Sequence, residues 1–268
     1  MHTRIMSKLV AIFLSLFLAS PVLAYVPPSF FMIKTMASKH AGYKGIRIRS
    51  TVKAIENGQD TEIFFKETSV FDAQTNLIVS RAFDENGKLL YTVQRNLSSS
   101  PVLSQVIFST NPNLIAETLK SNSIPVRTEE ELLVMKDETE RVTSESTGLK
   151  RYKNTLAWVL GLNSQKGSLE PQLWIEKDSF LPVRLILSSQ EGMRDISLEN
   201  YRYYKDYPFP KIISLAGYAG IKTELNDVLI NPESGETRKK TVPGYTDEGN
   251  SASSAIRELI RRYYSLLR

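Results

Sequence analysis

The chain has 268 residues, with 34 lysines and arginines against 29 aspartates and glutamates, and a formal net charge of +5. It has no cysteine, which excludes disulfides, thiolate nucleophiles and cysteine-containing zinc sites. The mild charge does not indicate a nucleic-acid partner. We therefore expect no nucleic acid, no cofactor and no metal.

The N-terminus has the pattern of a secretory signal peptide. Arg4 and Lys8 precede an apolar run over 9–18, and Val-Leu-Ala at 22–24 supplies a cleavage site. An uncleaved membrane anchor is the alternative, but this run is shorter than the roughly 20 residues that span a bilayer. We therefore predict cleavage of 1–24, export across the inner membrane and a periplasmic mature chain.

The mature chain begins with a predicted helix over 30–39, with Ser29 as its N-cap. From residue 46 the apolar residues alternate with polar ones, which is typical of a strand with one buried face. Asn57-Gly58 and Asn86-Gly87 are hairpin signals. The stretch 46–95 is therefore predicted to be an antiparallel meander of four strands.

The middle of the chain interrupts this meander. Asn111-Pro112 has the pattern of an N-cap followed by proline at the first helical position, so a helix should begin there. Thr128 and Glu131 fit a capping box, although 132–135 is equally compatible with a short strand. The charged run 136–141 reads as a solvated loop or helix face. The sequence alone does not decide between helix and strand at 128–135.

Strand patterns return over 149–160, and a hairpin is predicted at 171–184. Further strands are predicted at 196–204, 211–215 and 221–230, with a kink at the prolines of 208–210. The sum is one antiparallel sheet of roughly ten strands, long enough that it should curl. The predicted fold class is mainly β with helices (α+β): an unclosed half-barrel domain over 25–232, covered by helices.

The C-terminal stretch is predicted to be a linker or mobile tail over 233–254 and an amphipathic helix over 255–268. Arginines such as Arg257 and Arg261 mark the polar face of this helix. A basic amphipathic helix is suited to a membrane surface. Docking on the sheet, filling a cavity or forming a dimer contact are equally compatible with its pattern, and the oligomeric state stays open.

Motifs of catalysis do not occur in the sequence. It contains no Gly-x-Gly-x-x-Gly, no phosphate-binding loop and no Gly-x-Ser-x-Gly elbow. His40, the single histidine of the predicted mature chain, follows a helix and is more typical of a structural residue than of a general base. We expect a protein that is not an enzyme, and keep a hydrolase with paired carboxylates as a remote alternative.

Large apolar side chains along the sheet are more numerous than a one-sided sheet needs. They are either core under the helices or the lining of an apolar cavity that takes acyl chains. The predicted ligand-binding residues are Ile48, Phe65, Phe83, Tyr91, Trp158 and Trp174.

The predicted hairpin reads Leu-Trp-Ile-Glu-x-x-x-x-Leu-Pro-x-Arg, and a strand with Tyr201 and then Pro210 follow it. In this order the features over 30–230 resemble the periplasmic outer-membrane lipoprotein-sorting carriers of the LolA/LolB type. Glu176 stands where the family pattern has aspartate. The matching residues are Trp174, Glu176, Leu181, Pro182, Arg184, Tyr201 and Pro210.

The resemblance implies an unclosed β-barrel with helices as a lid, whose apolar concavity holds the lipid tails of a lipoprotein. It therefore implies non-enzymatic binding or carrying of lipid or lipoprotein acyl chains in the cell envelope. The hairpin is shared with envelope-stress sensors, so a regulatory or sensor module that binds a protein partner is the alternative. The hairpin itself is interpreted as a scaffold, with Trp174 as its ligand-contact candidate.

Overall fold

The computed structural model describes residues 26–128, 130–131, 147–161, 170–189, 192–216, 219–232 and 243–266. The predicted signal peptide and the predictions for 132–135 and 136–141 lie outside these residues. None of the helices among the described residues combines the length and apolar character needed to cross a membrane.

The described residues form twelve antiparallel strands in one sheet. The first six are β1 (Gly45–Glu56), β2 (Gln59–Asp72), β3 (Leu77–Phe83), β4 (Leu89–Asn96), β5 (Thr147–Tyr152) and β6 (Thr155–Leu160). The others are β7 (Gln172–Glu176), β8 (Pro182–Ser189), β9 (Gly192–Tyr204), β10 (Tyr207–Ala216), β11 (Ala219–Ile230) and β12 (Gly244–Tyr245).

The spatial order of the strands is β12-β4-β3-β2-β1-β11-β10-β9-β8-β7-β6-β5. Two meanders, β1 to β4 and β5 to β11, therefore meet at the centre, where β1 pairs with β11. The sheet does not close on itself, which confirms the predicted unclosed sheet with helices. It has more strands than predicted because 149–160 belongs to a hairpin of two strands and β12 was not foreseen.

Local turn chemistry sets the hairpins. Asn57 and Gly58 both have positive φ, 50° and 78°, which is the geometry that a two-residue hairpin turn requires. The predicted kink at 208–210 is wrong, since β10 runs through these residues and the turn lies at Lys205, with φ 55°. The prolines are tolerated because β11 pairs with β10 only from Ile212 onward, which leaves the start of β10 with ladder partners on one side.

The helices are α1 (Ser29–Ser38), α2 (Val102–Phe108), α3 (Pro112–Ser121), α4 (Asp247–Ser251) and α5 (Ser254–Leu266). As predicted, Asn111 caps α3, and its side chain accepts hydrogen bonds from the amides of Asn113 and Leu114 at 3.0 and 3.3 Å. The predicted capping box is also present, since Thr128 and Glu131 exchange hydrogen bonds of 2.8 and 3.4 Å.

Helix α2 was not predicted. All seven of its residues are buried, so it lacks the polar face that makes an amphipathic helix visible in a sequence.

The second half of the predicted linker has defined structure. Strand β12 pairs with β4, and the amide of Gly249 in α4 donates to the Thr246 hydroxyl at 3.1 Å. Helix α4 lies so close to β4 that a Cβ added at Gly249 would be 1.9 Å from the Leu90 carbonyl oxygen. Residues 243–251 are therefore attached to the sheet, and α5 follows directly.

The helices cover one face of the sheet, which we call the inner face. One large apolar cluster joins this face to side chains of α1, α2, α3 and α5. A smaller cluster of Ala157, Val159 and Trp174 lies on the opposite, outer face. The inner face is therefore where the core lies.

Candidate functional site

Strand β2 shows how the inner face is divided. Its alternate residues Ile63, Phe65, Glu67, Ser69 and Phe71 share the inner face. The ring of Phe71 lies 5.7 Å from that of Phe108 in α2, whereas the ring of Phe65 lies 5.5 Å from that of Tyr263 in α5. The inner face therefore has two apolar sections, one under α2 and its neighbours and one under α5.

A row of buried polar side chains separates these two sections. Ser50 lies directly opposite Glu67, and Ser69 lies opposite Ser80. Oε2 of Glu67 accepts hydrogen bonds from the Ser50 hydroxyl at 3.1 Å and from the Tyr263 hydroxyl at 2.7 Å. The hydroxyl oxygens of Ser69 and Ser80 are 2.6 Å apart. These polar groups are buried but have partners within the fold, which offsets the cost of removing them from water.

Helix α5 lies on the sheet with its apolar stripe down. Leu259, Ile260, Tyr263 and Tyr264 are all at most 3% exposed. Nη1 of Arg95 in β4 donates to the carbonyl oxygen of Tyr264 at 3.0 Å. Of the alternatives that the sequence left open, α5 therefore docks on the sheet. A membrane contact through this stripe requires α5 to leave the sheet.

At its other end, at β5 and β6, the inner face has exposed apolar side chains. Leu149 and Leu156 are 44% and 39% exposed, and Trp158 lies opposite Leu149. Phe31 of α1 is 49% exposed and makes an edge-on contact of 5.9 Å with Phe180, which lies in the turn between β7 and β8. The amide of Lys177 in this turn donates to the Leu156 carbonyl at 2.9 Å. We call this apolar end of the inner face the apolar mouth; it consists of Phe31, Leu149, Leu156 and Phe180.

The six predicted ligand-binding residues do not share one surface. Ile48, Phe65, Tyr91 and Trp158 belong to the inner face. Trp174 lies between two inner-face neighbours on its strand and belongs to the outer cluster. Phe83 pairs with Lys66, one residue from Glu67 of the inner face, so it also lies on the outer side. The prediction that both tryptophans line one cavity is therefore corrected, because successive strand residues alternate between faces. Tyr263 was predicted only as part of the apolar stripe of the terminal helix, and its contact with Glu67 was not predicted because no local pattern joins the two residues.

The hairpin that carries the family resemblance is held by its own motif residues. The guanidinium of Arg184 lies 5.2 Å from the ring centre of Tyr152 and 5.3 Å from that of Trp174. It donates two hydrogen bonds to Asp195, at 2.8 and 2.5 Å, and this pairing raises the pKa of Arg184. The Tyr201 hydroxyl donates to the Pro182 carbonyl at 2.7 Å. These contacts favour the interpretation of the hairpin as a scaffold.

The single histidine of the described residues lies between α1 and the sheet. Nε2 of His40 is 2.9 Å from the carbonyl oxygen of Pro208, and its ring centre is 5.1 Å from that of Phe209. Burial lowers the pKa of His40. Its ring is therefore neutral at pH 7, and it packs against the ring of Phe209.

Carboxylates gather near the start of α5. A cleft of about 640 Å³ opens there, lined by Glu62, Asp84, Glu85, Lys88, Asp247 and Glu248 among others. Within the described parts of the chain, no group of three or more histidines, aspartates and glutamates is arranged to hold a metal ion.

No model of a protein family and no curated protein sequence matches the chain. The comparison with solved structures does find similar chains. An outer-membrane lipoprotein-sorting protein domain from Vibrio parahaemolyticus matches 78% of this chain and 94% of its own, at 10% identity and a TM-score of 0.45. A LolA superfamily protein from Nitrosomonas europaea matches 77% of this chain and 95% of its own, at 7% identity and a TM-score of 0.46.

A DUF1329 family protein from Desulfovibrio piger matches 78% of this chain and 95% of its own, at 8% identity and a TM-score of 0.39. These likenesses describe overall architecture alone.

Proposed function

We propose that the mature protein is a non-enzymatic periplasmic binder or carrier, which takes an acyl chain of a lipid or lipoprotein on the inner face of its sheet. The observation that supports this function best is the apolar mouth. Leu149 and Leu156 expose large apolar side chains at the end of a face that is otherwise buried core. Exposed apolar surface that continues into a core is typical of a binding groove.

Entry at the apolar mouth agrees with the energetics of acyl binding. Each methylene group taken from water contributes about 0.8 kcal/mol, so a chain of about ten buried methylenes gains enough to offset the cost of association. Trp158, which is 7% exposed, lies just inside the mouth and offers a flat apolar wall. The predicted signal peptide and the hairpin resemblance agree with this location and this ligand class.

A fluorescent fatty acid, dansylaminoundecanoic acid, tests the proposal by titration of the delipidated mature chain. We expect uptake at micromolar probe. Leu156→Ser removes an apolar side chain at the mouth and should weaken binding about tenfold. Leu229→Ser is the matched control, because Leu229 is 38% exposed against 39% for Leu156 but faces outward opposite Arg47.

A second pair of variants places the ligand on one side of the sheet. Trp158→Ala should weaken uptake, whereas Trp174→Ala on the outer face should leave it within about twofold. Absence of uptake by the unchanged chain at micromolar probe would contradict the proposed function. Equal losses in Leu156→Ser and Leu229→Ser would contradict the location at the apolar mouth.

The second candidate function is a regulatory or sensor module with a protein partner. Among the described residues, β5 pairs with β6 alone, so its outer edge is available to an added strand. This candidate predicts that a partner cross-links to β5 and that Lys150→Pro, which cannot donate to an added strand, abolishes the cross-link. A variant that loses acyl uptake but keeps the cross-link to the partner would show that partner binding does not depend on acyl binding, which separates the second candidate function from the first.

A further inference from the structure

The section of the inner face under α5 is covered by the end of the chain itself. Phe65 lies 5.5 Å from Tyr263 and 6.3 Å from Tyr264, measured between ring centres, and Tyr91 lies 5.3 Å from Tyr264. The side chains of α5 thus fill the space that an apolar ligand would take on this section. Along β2 the section adjoins the one under α2, with the row of buried polar side chains between them.

The contact between α5 and the sheet has a polar centre. Glu67 is 1% exposed and accepts the Tyr263 hydroxyl at 2.7 Å. A buried carboxyl group adds less stability than a well-packed apolar residue and needs a donor wherever it is buried. When α5 leaves this section, Glu67 keeps the Ser50 hydroxyl but loses the Tyr263 hydroxyl, so a group that replaces α5 binds better if it brings a hydrogen-bond donor of its own.

Helix α5 is anchored in a way that lets it move as a unit. The hydroxyl of Thr246 donates to the Leu89 carbonyl, and α4 lies against β4 at Gly249. These contacts hold β12 and α4 before α5 begins. Two residues, Ala252 and Ser253, join α4 to α5, and the amide of Ile256 donates to the Ser253 hydroxyl at 3.3 Å. Release of α5 therefore requires rotation at this joint and leaves the anchor in place.

We infer that α5 is an internal competitor for the acyl ligand: it occupies one section of the binding face, and a ligand that binds there displaces it. This inference rests on the proposed function and adds the class of ligand. Glu67 at the floor of the section selects an amphiphile with an apolar chain and a hydroxyl, amide or ammonium donor in its head group. A fatty-acid anion has no such donor and should displace α5 poorly.

Hydrogen–deuterium exchange of the full mature chain tests the inference directly. N-dodecanoylethanolamine has amide and hydroxyl donors, and dodecanoate has the same chain length without them. With saturating N-dodecanoylethanolamine we expect the amides of α5 to exchange at least about tenfold faster, because displacement removes their protection. Dodecanoate should give a smaller change at equal occupancy.

Tyr263→Phe supplies the second measurement. It keeps the ring that contacts Phe65 and removes the hydroxyl that Glu67 accepts. A weaker competitor leaves the binding face free more often, so the apparent affinity for N-dodecanoylethanolamine should rise about fivefold. Tyr203→Phe is the control, since Tyr203 is 63% exposed on β9.

The outcomes separate this inference from the proposed function. If the ligand binds but the exchange of α5 stays unchanged or slows, the ligand lies elsewhere; the inference is then overturned and the proposed function stands. Equal affinities of Tyr263→Phe and the unchanged chain would likewise overturn it. If neither ligand binds to either protein, the proposed function itself fails.

Discussion

Arg184→Lys distinguishes a scaffold from a binding site in the hairpin that carries the family resemblance. The substitution keeps the charge but loses the planar fork that donates two hydrogen bonds to Asp195, and it weakens the stacking on Tyr152 and Trp174. The Arg184 side chain is 21% exposed, so solvent screens the pair only in part. Loss of the bidentate geometry and of the two ring contacts should together cost about 1–2 kcal/mol.

Thermal unfolding followed by circular dichroism measures this cost. A loss of about 1–2 kcal/mol corresponds to a fall in Tm of about 2–8 °C for a chain of this size. Arg202→Lys is the matched control, because Arg202 is exposed on β9 and its change should stay within about 0.5 kcal/mol. Acyl-probe affinity should be unchanged in both variants. An unchanged Tm together with weaker probe binding would refute the scaffold interpretation and make the hairpin part of the site.

Three further predictions concern helix α4, helix α5 and the single described histidine. Gly249→Ala should detach α4 from β4, because the added Cβ would lie 1.9 Å from the Leu90 carbonyl oxygen. Limited proteolysis within 243–254 should therefore become faster. An unchanged rate of cleavage would contradict the role of Gly249 in this contact. Without ligand, Tyr263→Phe should speed exchange of the α5 amides about fivefold or more, and equal exchange rates would show that the hydroxyl does not hold the helix. Burial lowers the pKa of His40, so the unfolded chain binds a proton that the folded chain excludes, and stability falls as the pH drops below about 6.5. His40→Gln should therefore flatten the pH dependence of Tm between about pH 5 and 6.5. An unchanged slope would contradict the assignment of this pH dependence to His40.

Features set by neighbouring residues could be predicted from the sequence. The turn at Asn57 and Gly58, the cap of α3 at Asn111 and the hairpin at 171–184 each depend on local backbone preferences, and the structure has all three. Helix α2 could not be predicted in this way, because it is buried on every side and its pattern lacks a period.

Features set by distant parts of the chain could not be predicted. Tyr263 and Glu67 are 196 residues apart in sequence and meet only because α5 lies across β2. The placement of Trp174 on the outer face depends on the register of β6, β7 and β8, and strand alternation alone does not say which face the helices cover. The sequence therefore predicted the surplus of apolar side chains but not their division between two faces.

Native mass spectrometry of the mature protein, purified without detergent from cells that export it, tests the central claim most directly. We predict a bound species whose added mass is that of an acyl-bearing lipid or lipopeptide. This species should be retained by Leu229→Ser and lost or strongly reduced in Leu156→Ser. A protein that carries no acyl-bearing species from such cells, or a species retained equally by both variants, would contradict acyl binding on the inner face.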